Sequence, residues 1–235
     1  NGIQDRVRVD FDASTGTLTA YHAPWLALVG TEGNDVIVVA DELTARGIAL
    51  DAAGFEVNVH GLGGNDLIDM SGVSVDTYVE GGAGDDTLVG GDGRDNLNGG
   101  AGNDTLYGGD ADDALYGGAG DDLLSAGSGQ NYVEGGEGND VITTGDGLDL
   151  VYAGDGDDWV NSYFNKTVDW FYYTYSGGVQ VFGGNGKDTL TGTTDDDRLF
   201  GESGNDNLTG LAGNDYIDGG SGNDKLSGWS GNDTL

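Results

Sequence analysis

An aliphatic residue recurs every ninth position along most of this chain, set between stretches of glycine, aspartate and asparagine. From Gly81 to Asn161 the sequence divides without gaps into nine nonapeptides, among them Gly81-Gly82-Ala83-Gly84-Asp85-Asp86-Thr87-Leu88-Val89 and Gly99-Gly100-Ala101-Gly102-Asn103-Asp104-Thr105-Leu106-Tyr107. The same phase resumes at Gly183 and runs to Leu235 in five full units and an eight-residue stub. Two isolated units begin at Gly30 and Gly61, making seventeen in all. Position eight is aliphatic in every one, from Ile37 and Ile68 through Leu88, Leu124 and Val160 to Leu190, Ile217 and Leu235. Position six is Asp in sixteen, with Asn131 the exception, and position four is Gly in fifteen, with Ala111 and Asp195 the exceptions.

A nine-residue self-similarity of this kind predicts a solenoid. Glycines at positions one, two and four allow positive φ and close backbone approach, so the first six residues of a unit read as a tight loop with inward carbonyls. The last three residues read as a short strand. One aliphatic side chain per strand is a thin core, and a single unit cannot stay folded alone; stacked units bury a continuous apolar ladder. Stacking also sets the position-six carboxylates in columns about 5 Å apart, the spacing of neighbouring strands.

Charge makes that arrangement a problem. The 235 residues carry 42 acidic and 8 basic side chains, a net charge of -34, with 48 glycines, one proline and no cysteine. Val, Leu, Ile and Phe together sit near the boundary below which chains cannot bury a core. Like charges in columns repel, so the fold requires cations. Carboxylate and carbonyl oxygens, with no His or Cys in the repeat, suit a hard ion, and a flexible oxygen cage favours calcium over magnesium. Zinc is excluded because the only histidines, His22 and His60, lie outside the array and have no partner there. Nucleic acid and anionic membrane surfaces are bound through Lys and Arg and would repel this chain. No apolar run is long enough to insert in a membrane. The start at Asn1, without an initiator Met or a leader, reads as a piece of a longer protein.

The units match G-G-x-G-x-D-x-U-x, and over about two thirds of its length the chain resembles the RTX family, the hemolysin-type calcium-binding repeats of secreted bacterial proteins. The resemblance implies an all-β fold, a right-handed parallel β-roll in which two nonapeptides make one turn and each calcium lies between one loop and the next but one. Carried over by position, it implies one column of Asp86, Asp104, Asp122, Asp140 and Asp158 beside another of Asp95, Asp113, Asn131 and Asp149. In the second array it implies Asp188, Asp206 and Asp224 in one column and Asp197, Asp215 and Asp233 in the other. Asp35 and Asp66 occupy the same position in the isolated units. About ten calcium ions would then be bound, one per neighbouring pair of rungs. The loop Gly192-Thr193-Thr194-Asp195-Asp196-Asp197 departs most, lacking glycine at positions two and four.

Outside the repeats, residues 1–80 read as an N-terminal β-rich cap holding the two isolated loops, ahead of a first array at 81–161. Val7, Val9 and Phe11, a turn at Ala13 to Gly16, then Leu18 and Ala20 alternate as strands do, and Ile48, Leu50, Phe55, Val57 and Val59 read as another hairpin. Asp41 to Arg46 reads as one helical turn. Residues 162–182, with Tyr163, Phe164, Trp170, Phe171, Tyr172, Tyr173, Tyr175 and Phe182, read as an aromatic insertion, a β-hairpin covering the roll. The alternative is a surface platform for self-association, glycan or protein contact. Residues 183–235 form the second array, truncated in its last unit.

No HExxH, G-x-S-x-G or P-loop motif occurs, and the regular recurrence of the carboxylates is explained by cation binding, so no catalytic residue is expected. The expected function is a calcium-binding module of a secreted or cell-surface bacterial protein that folds outside the cell. A surface-layer, filament or adhesin module is the alternative, followed by a non-catalytic part of a secreted enzyme or toxin.

Overall fold

A computed structural model of the chain describes residues 8–12, 17–21, 25–39, 56–162 and 178–235. Apart from an antiparallel pair, Arg8–Asp12 with Thr17–Tyr21, its strands form two long parallel sheets of ten and eleven strands. The chain alternates between them, so two nonapeptides make one turn. Thr105, Leu106 and Tyr107 pair with Leu123, Leu124 and Ser125 in one sheet. Ala114, Leu115 and Tyr116 pair with Tyr132, Val133 and Glu134 in the other.

Within each strand, burial alternates with the period of two that a pleated strand imposes. In Asp95–Ala101 the residues at 95, 97 and 99 are buried and those at 96 and 98 are half-buried. Positions six, eight and the following position one therefore face inward. The position-eight residues of both sheets meet in a single core running the length of the roll: Leu88, Leu106, Leu124 and Ile142 from one, Leu97, Leu115, Val133 and Val151 from the other. The carboxylate at position six shares that inner face and lies at the edge of the core.

The roll reaches back beyond the array at 81. Trp25–Val29 and Glu56–Gly63 are strands of the eleven-stranded sheet, and Val36–Val38 and Leu67–Asp69 of the ten-stranded one. Glu56–Gly63 has parallel partners on both sides, Trp25–Val29 and Thr77–Ala83, so Val57 and Val59 do not belong to a hairpin: both edges of their strand are already paired. Residues 72–80 form a further unit, with Val79 in the core and Thr77 where a carboxylate otherwise stands, paired with Asp95. At the other end of the first array, Leu150 pairs with Gln180 and Val151 with Val181, so the last residues assigned to the aromatic insertion belong to the roll. Offsets of 31 and 30 residues replace the usual 18 at these two places, which lets the chain carry extra segments without losing register. The turn at 13–16, the helical turn at 41–46, Ile48, Leu50, Phe55, His22 and the rings from Tyr163 to Tyr175 lie outside the described residues.

Phe182 takes part in an aromatic ladder on the outer face of the eleven-stranded sheet. Its ring stacks 4.9 Å from Tyr152 and 4.8 Å from Phe200. Tilted contacts extend the ladder to Tyr132 and Tyr116 on one side and Tyr216 on the other. Each such cross-strand ring pair contributes about 0.5–1.5 kcal/mol beyond its area burial, a useful addition where the interior offers one aliphatic side chain per strand.

Candidate metal sites

The position-six carboxylates form two ladders, one along each edge of the roll. In the first, the backbone N–H of each Asp donates to Oδ1 of the Asp one turn on: Asp86 to Asp104 at 2.7 Å, Asp104 to Asp122 at 2.7 Å, Asp122 to Asp140 at 2.9 Å and Asp140 to Asp158 at 2.8 Å. The ladder starts with Asp35 and Asp66, crosses the insertion by a 3.0 Å bond from Asp158 to Asp188, and ends through Asp206 at Asp224. The second edge is broken. Thr77, Asp95, Asp113, Asn131 and Asp149 form one run; the next rung is Val179, whose N–H reaches Asp197, followed by Asp215 and Asp233. Loss of a carboxylate at Val179 lies inside residues 162–182, where no repeat was legible.

The other carboxylate oxygen decides the chemistry. Oδ2 of Asp66, Asp86, Asp104, Asp122, Asp140, Asp158, Asp188 and Asp206 on the first edge is buried and accepts no hydrogen bond, as is Oδ2 of Asp113, Asp149 and Asp215 on the second. These residues are nearly inaccessible, Asp104 and Asp122 at 2% exposure and Asp140 at 1%. Among the described residues no Lys or Arg pairs with any of them; the one Arg–carboxylate contact, Arg94 with Asp112 at 3.9 Å, is exposed. Two unit charges one strand spacing apart repel by about 3 kcal/mol at an effective dielectric of about 20. Burial therefore pushes Asp86, Asp104, Asp140, Asp149, Asp188 and Asp197 up to about 6, and Asp113, Asp122 and Asp158 up to about 7, although the backbone N–H bonds pull the other way.

The remaining donors come from the loops. Positive φ occurs at most positions two and four, as in Gly118 (117°) and Gly120 (128°), while position one, apart from Gly72, keeps ordinary φ. Space is tight at its glycines, since a Cβ on Gly117 would fall within 3.0 Å of the free Oδ2 of Asp122, although Thr144 and Ala153 carry one at this position. At positions two and four the missing Cβ would fall equally close to the carbonyl oxygen one turn back, Gly100 O for Gly118 and Gly102 O for Gly120. Successive loops thus stack carbonyl over glycine beside the free carboxylate oxygens. Among the described residues no three His, Cys, Asp or Glu side chains converge, so a bound ion must draw on carboxylates of two rungs and on backbone carbonyls. An all-oxygen set of this kind fits a hard cation. Gly120→Ala should cost about 1–3 kcal/mol in backbone strain alone and raise the calcium needed for half-folding, measured by urea unfolding and calcium titration.

A further ladder, outside these two, was not anticipated. At position five the side chain of each turn accepts the N–H of the next: Asp85 from Asn103, Asn103 from Asp121, Asp121 from Asn139 and Asn139 from Asp157, at 2.7–2.9 Å. Asp and Asn alternate, which keeps ionised side chains from facing each other in adjacent turns. Asn139 Nδ2 also donates to Asp121. The alternation stands in the sequence and was its available signal.

A family model of the RTX calcium-binding nonapeptide repeat, built as four copies, matches overlapping segments that together span residues 71–160 and 182–235. The chain belongs to the RTX calcium-binding repeat family. No curated protein matches it. The RTX match starts at residue 71, taking in the unit around Thr77, and RTX repeats of this kind form structural calcium-binding β-rolls, typically non-catalytic. His60, the one histidine among the described residues, bonds through Nδ1 to Glu80 at 2.8 Å. No helix among the described residues is long and apolar enough to cross a membrane.

Proposed function

We propose that this RTX roll is a calcium-triggered folding and support module of a secreted or cell-surface bacterial protein. The observation that carries the reading is the file of buried Oδ2 atoms on the first edge, each without a hydrogen bond or a basic partner. The ligands it assigns are the carboxylates of Asp66, Asp86, Asp104, Asp122, Asp140, Asp158, Asp188, Asp206 and Asp224 on that edge, and Asp113, Asp149, Asp215 and Asp233 on the other, together with loop carbonyls. Each shared ion offsets the charge of two rungs and supplies folding free energy, because the unfolded chain has no preformed site. Extracellular sites of this type bind at about 0.1–1 mM, so a low-calcium cytosol would hold the chain extended and the exterior would fold it. The roll itself carries no catalytic residue in this reading; it gives a parent protein a rigid, charge-neutralised spacer.

Equilibrium dialysis of the full chain against calcium and magnesium tests this. Several calcium ions per chain are expected, bound cooperatively at sub-millimolar to millimolar concentration with a parallel gain of β-structure. Magnesium at the same concentration should produce neither. Equal binding of the two ions, or calcium binding without a change in circular dichroism, would overturn the proposal.

A further inference from the structure

Not every carboxylate rung is left open. Gly145, before Asp149, lacks positive φ but leaves Asp149 Oδ2 without a hydrogen bond. In the loops before Asp35, Asp95 and Asp197 the residue at position two, Thr31, Gly91 or Thr193, likewise lacks the positive φ found at Gly82, Gly100, Gly118 and Gly136. Its N–H turns inward and donates to Oδ2 of its own loop's carboxylate, at 2.5 Å for Thr31 to Asp35, 2.6 Å for Gly91 to Asp95 and 2.6 Å for Thr193 to Asp197. The threonine hydroxyls add bonds to the same carboxyl groups. Oδ1 of Asp95 and Asp197 accepts the N–H from one turn back, as elsewhere, so both oxygens of these two carboxylates are hydrogen-bonded within the protein. That a glycine does this at Gly91 shows that the bond does not depend on a missing glycine, and Gly145 shows that loss of positive φ alone does not make it.

The three positions have one property in common. Asp95 follows Thr77 and Asp197 follows Val179, rungs without a carboxylate. Asp35 is the first carboxylate of the first edge; its strand, Val36–Val38, is the last in the ten-stranded sheet. Each stands at the upstream end of a run of carboxylates; Asp149 also follows a rung without one, Asn131, but its Oδ2 is left open. An ion on the upstream side of the three would have a carboxylate from one rung only, and the chain supplies an N–H in its place.

We propose that Thr31, Gly91 and Thr193 terminate the ion files: each position-two N–H occupies the oxygen that the open rungs leave to calcium, so Asp35, Asp95 and Asp197 bind no ion on their upstream side. This rests on the calcium reading above and departs from the expectation that the position-six aspartates, Asp35, Asp95 and Asp197 among them, are all calcium ligands. It also makes the edges unequal, with one unbroken file from Asp66 to Asp224 and two short ones opposite.

The test is the number of calcium ions bound by the full chain at saturation, by equilibrium dialysis and native mass spectrometry. Open-loop disruption by Gly118→Thr and Asp122→Asn should each lower the count by at least one, while Thr193→Ala, which keeps the N–H, should leave it unchanged. Amide exchange in the unmodified, calcium-loaded chain gives an independent readout that needs no variant: the N–H groups of Gly91 and Thr193 should exchange at least tenfold more slowly than that of Gly118. Exchange at Gly91 and Thr193 as fast as at Gly118, or a calcium ion lost in Thr193→Ala, overturns the proposal. A wild-type chain that binds no calcium overturns the calcium reading instead.

Discussion

In excess chelator at neutral pH the chain is expected to lose its β-sheet circular dichroism, and acidification of the same sample to about pH 4 is expected to restore it. Both halves follow from the buried carboxylates. The folded, ion-free roll holds Asp122, Asp113 and Asp158 up to about 7 and Asp86, Asp104 and Asp188 up to about 6, against 3.8 for an ordinary Asp. A group whose folded pKa is raised binds protons more readily folded than unfolded. Its contribution to stability is fully present below the unfolded value and is lost as pH rises through the folded one. At neutral pH the ion-free roll must therefore ionise a file of buried carboxylates or unfold. The window of loss runs from about 4 to about 7, and within it a proton substitutes for a shared calcium by removing charge, though it adds no coordination. Far-ultraviolet circular dichroism as a function of pH, with chelator and with saturating calcium, checks this. A roll that stays folded in chelator at neutral pH would show that the N–H bonds to Oδ1 suffice to hold the charges.

The nine-residue register made the core and the two columns legible, since position eight fixes what is buried and position six stands two residues before it on the same face of a strand. Leu88, Leu124 and Ile142, and Asp86, Asp122 and Asp140, are all buried where that spacing places them. Units that keep the geometry but lose the position-six carboxylate and the glycine at position two were not legible. Val79 and Val181 are core residues of rungs whose position six is Thr77 and Val179, and no residue type marks these as loops. Backbone conformation was the other gap. Leu62, Glu202, Leu211 and Trp229 stand at position two with φ of 82°, 70°, 79° and 65°, values an L-residue reaches only at a cost, so the stacked loops impose the conformation on whatever residue is there. Conversely Gly91, read as an ordinary repeat glycine, does not take positive φ. The aromatic ladder escaped notice because its rings switch between positions nine and seven, so that Tyr116, Tyr132 and Tyr152 stand 16 and 20 residues apart rather than at the constant turn length of 18.

Leu124→Ala is expected to destabilise the calcium-loaded roll by about 3 kcal/mol, within the usual range of about 2–5 for a fully buried leucine. Leu124 is 0% exposed and pairs with Leu106 on one side and Ile142 on the other, in a core too thin to collapse around the cavity from a second layer. Leu226→Ala should cost about 1 kcal/mol, because Leu226 lies in the last strand of its sheet and is only partly buried. Urea unfolding in saturating calcium measures both. The same loss should move the calcium midpoint very little: if folding is linked to about eight ions, 3 kcal/mol shared among them is a factor of about two in calcium concentration. A change in an ion ligand is different, because Asp122→Asn removes binding free energy and a site together, so its cost should grow with calcium concentration while that of Leu124→Ala stays constant. The two kinds of damage separate on this ground: a leucine variant shifts the urea midpoint by the same amount at every calcium level, and a carboxylate variant shifts it by more as calcium rises. Equal behaviour of the two variants would mean that the ions are not bound at the rungs whose buried oxygens lack partners.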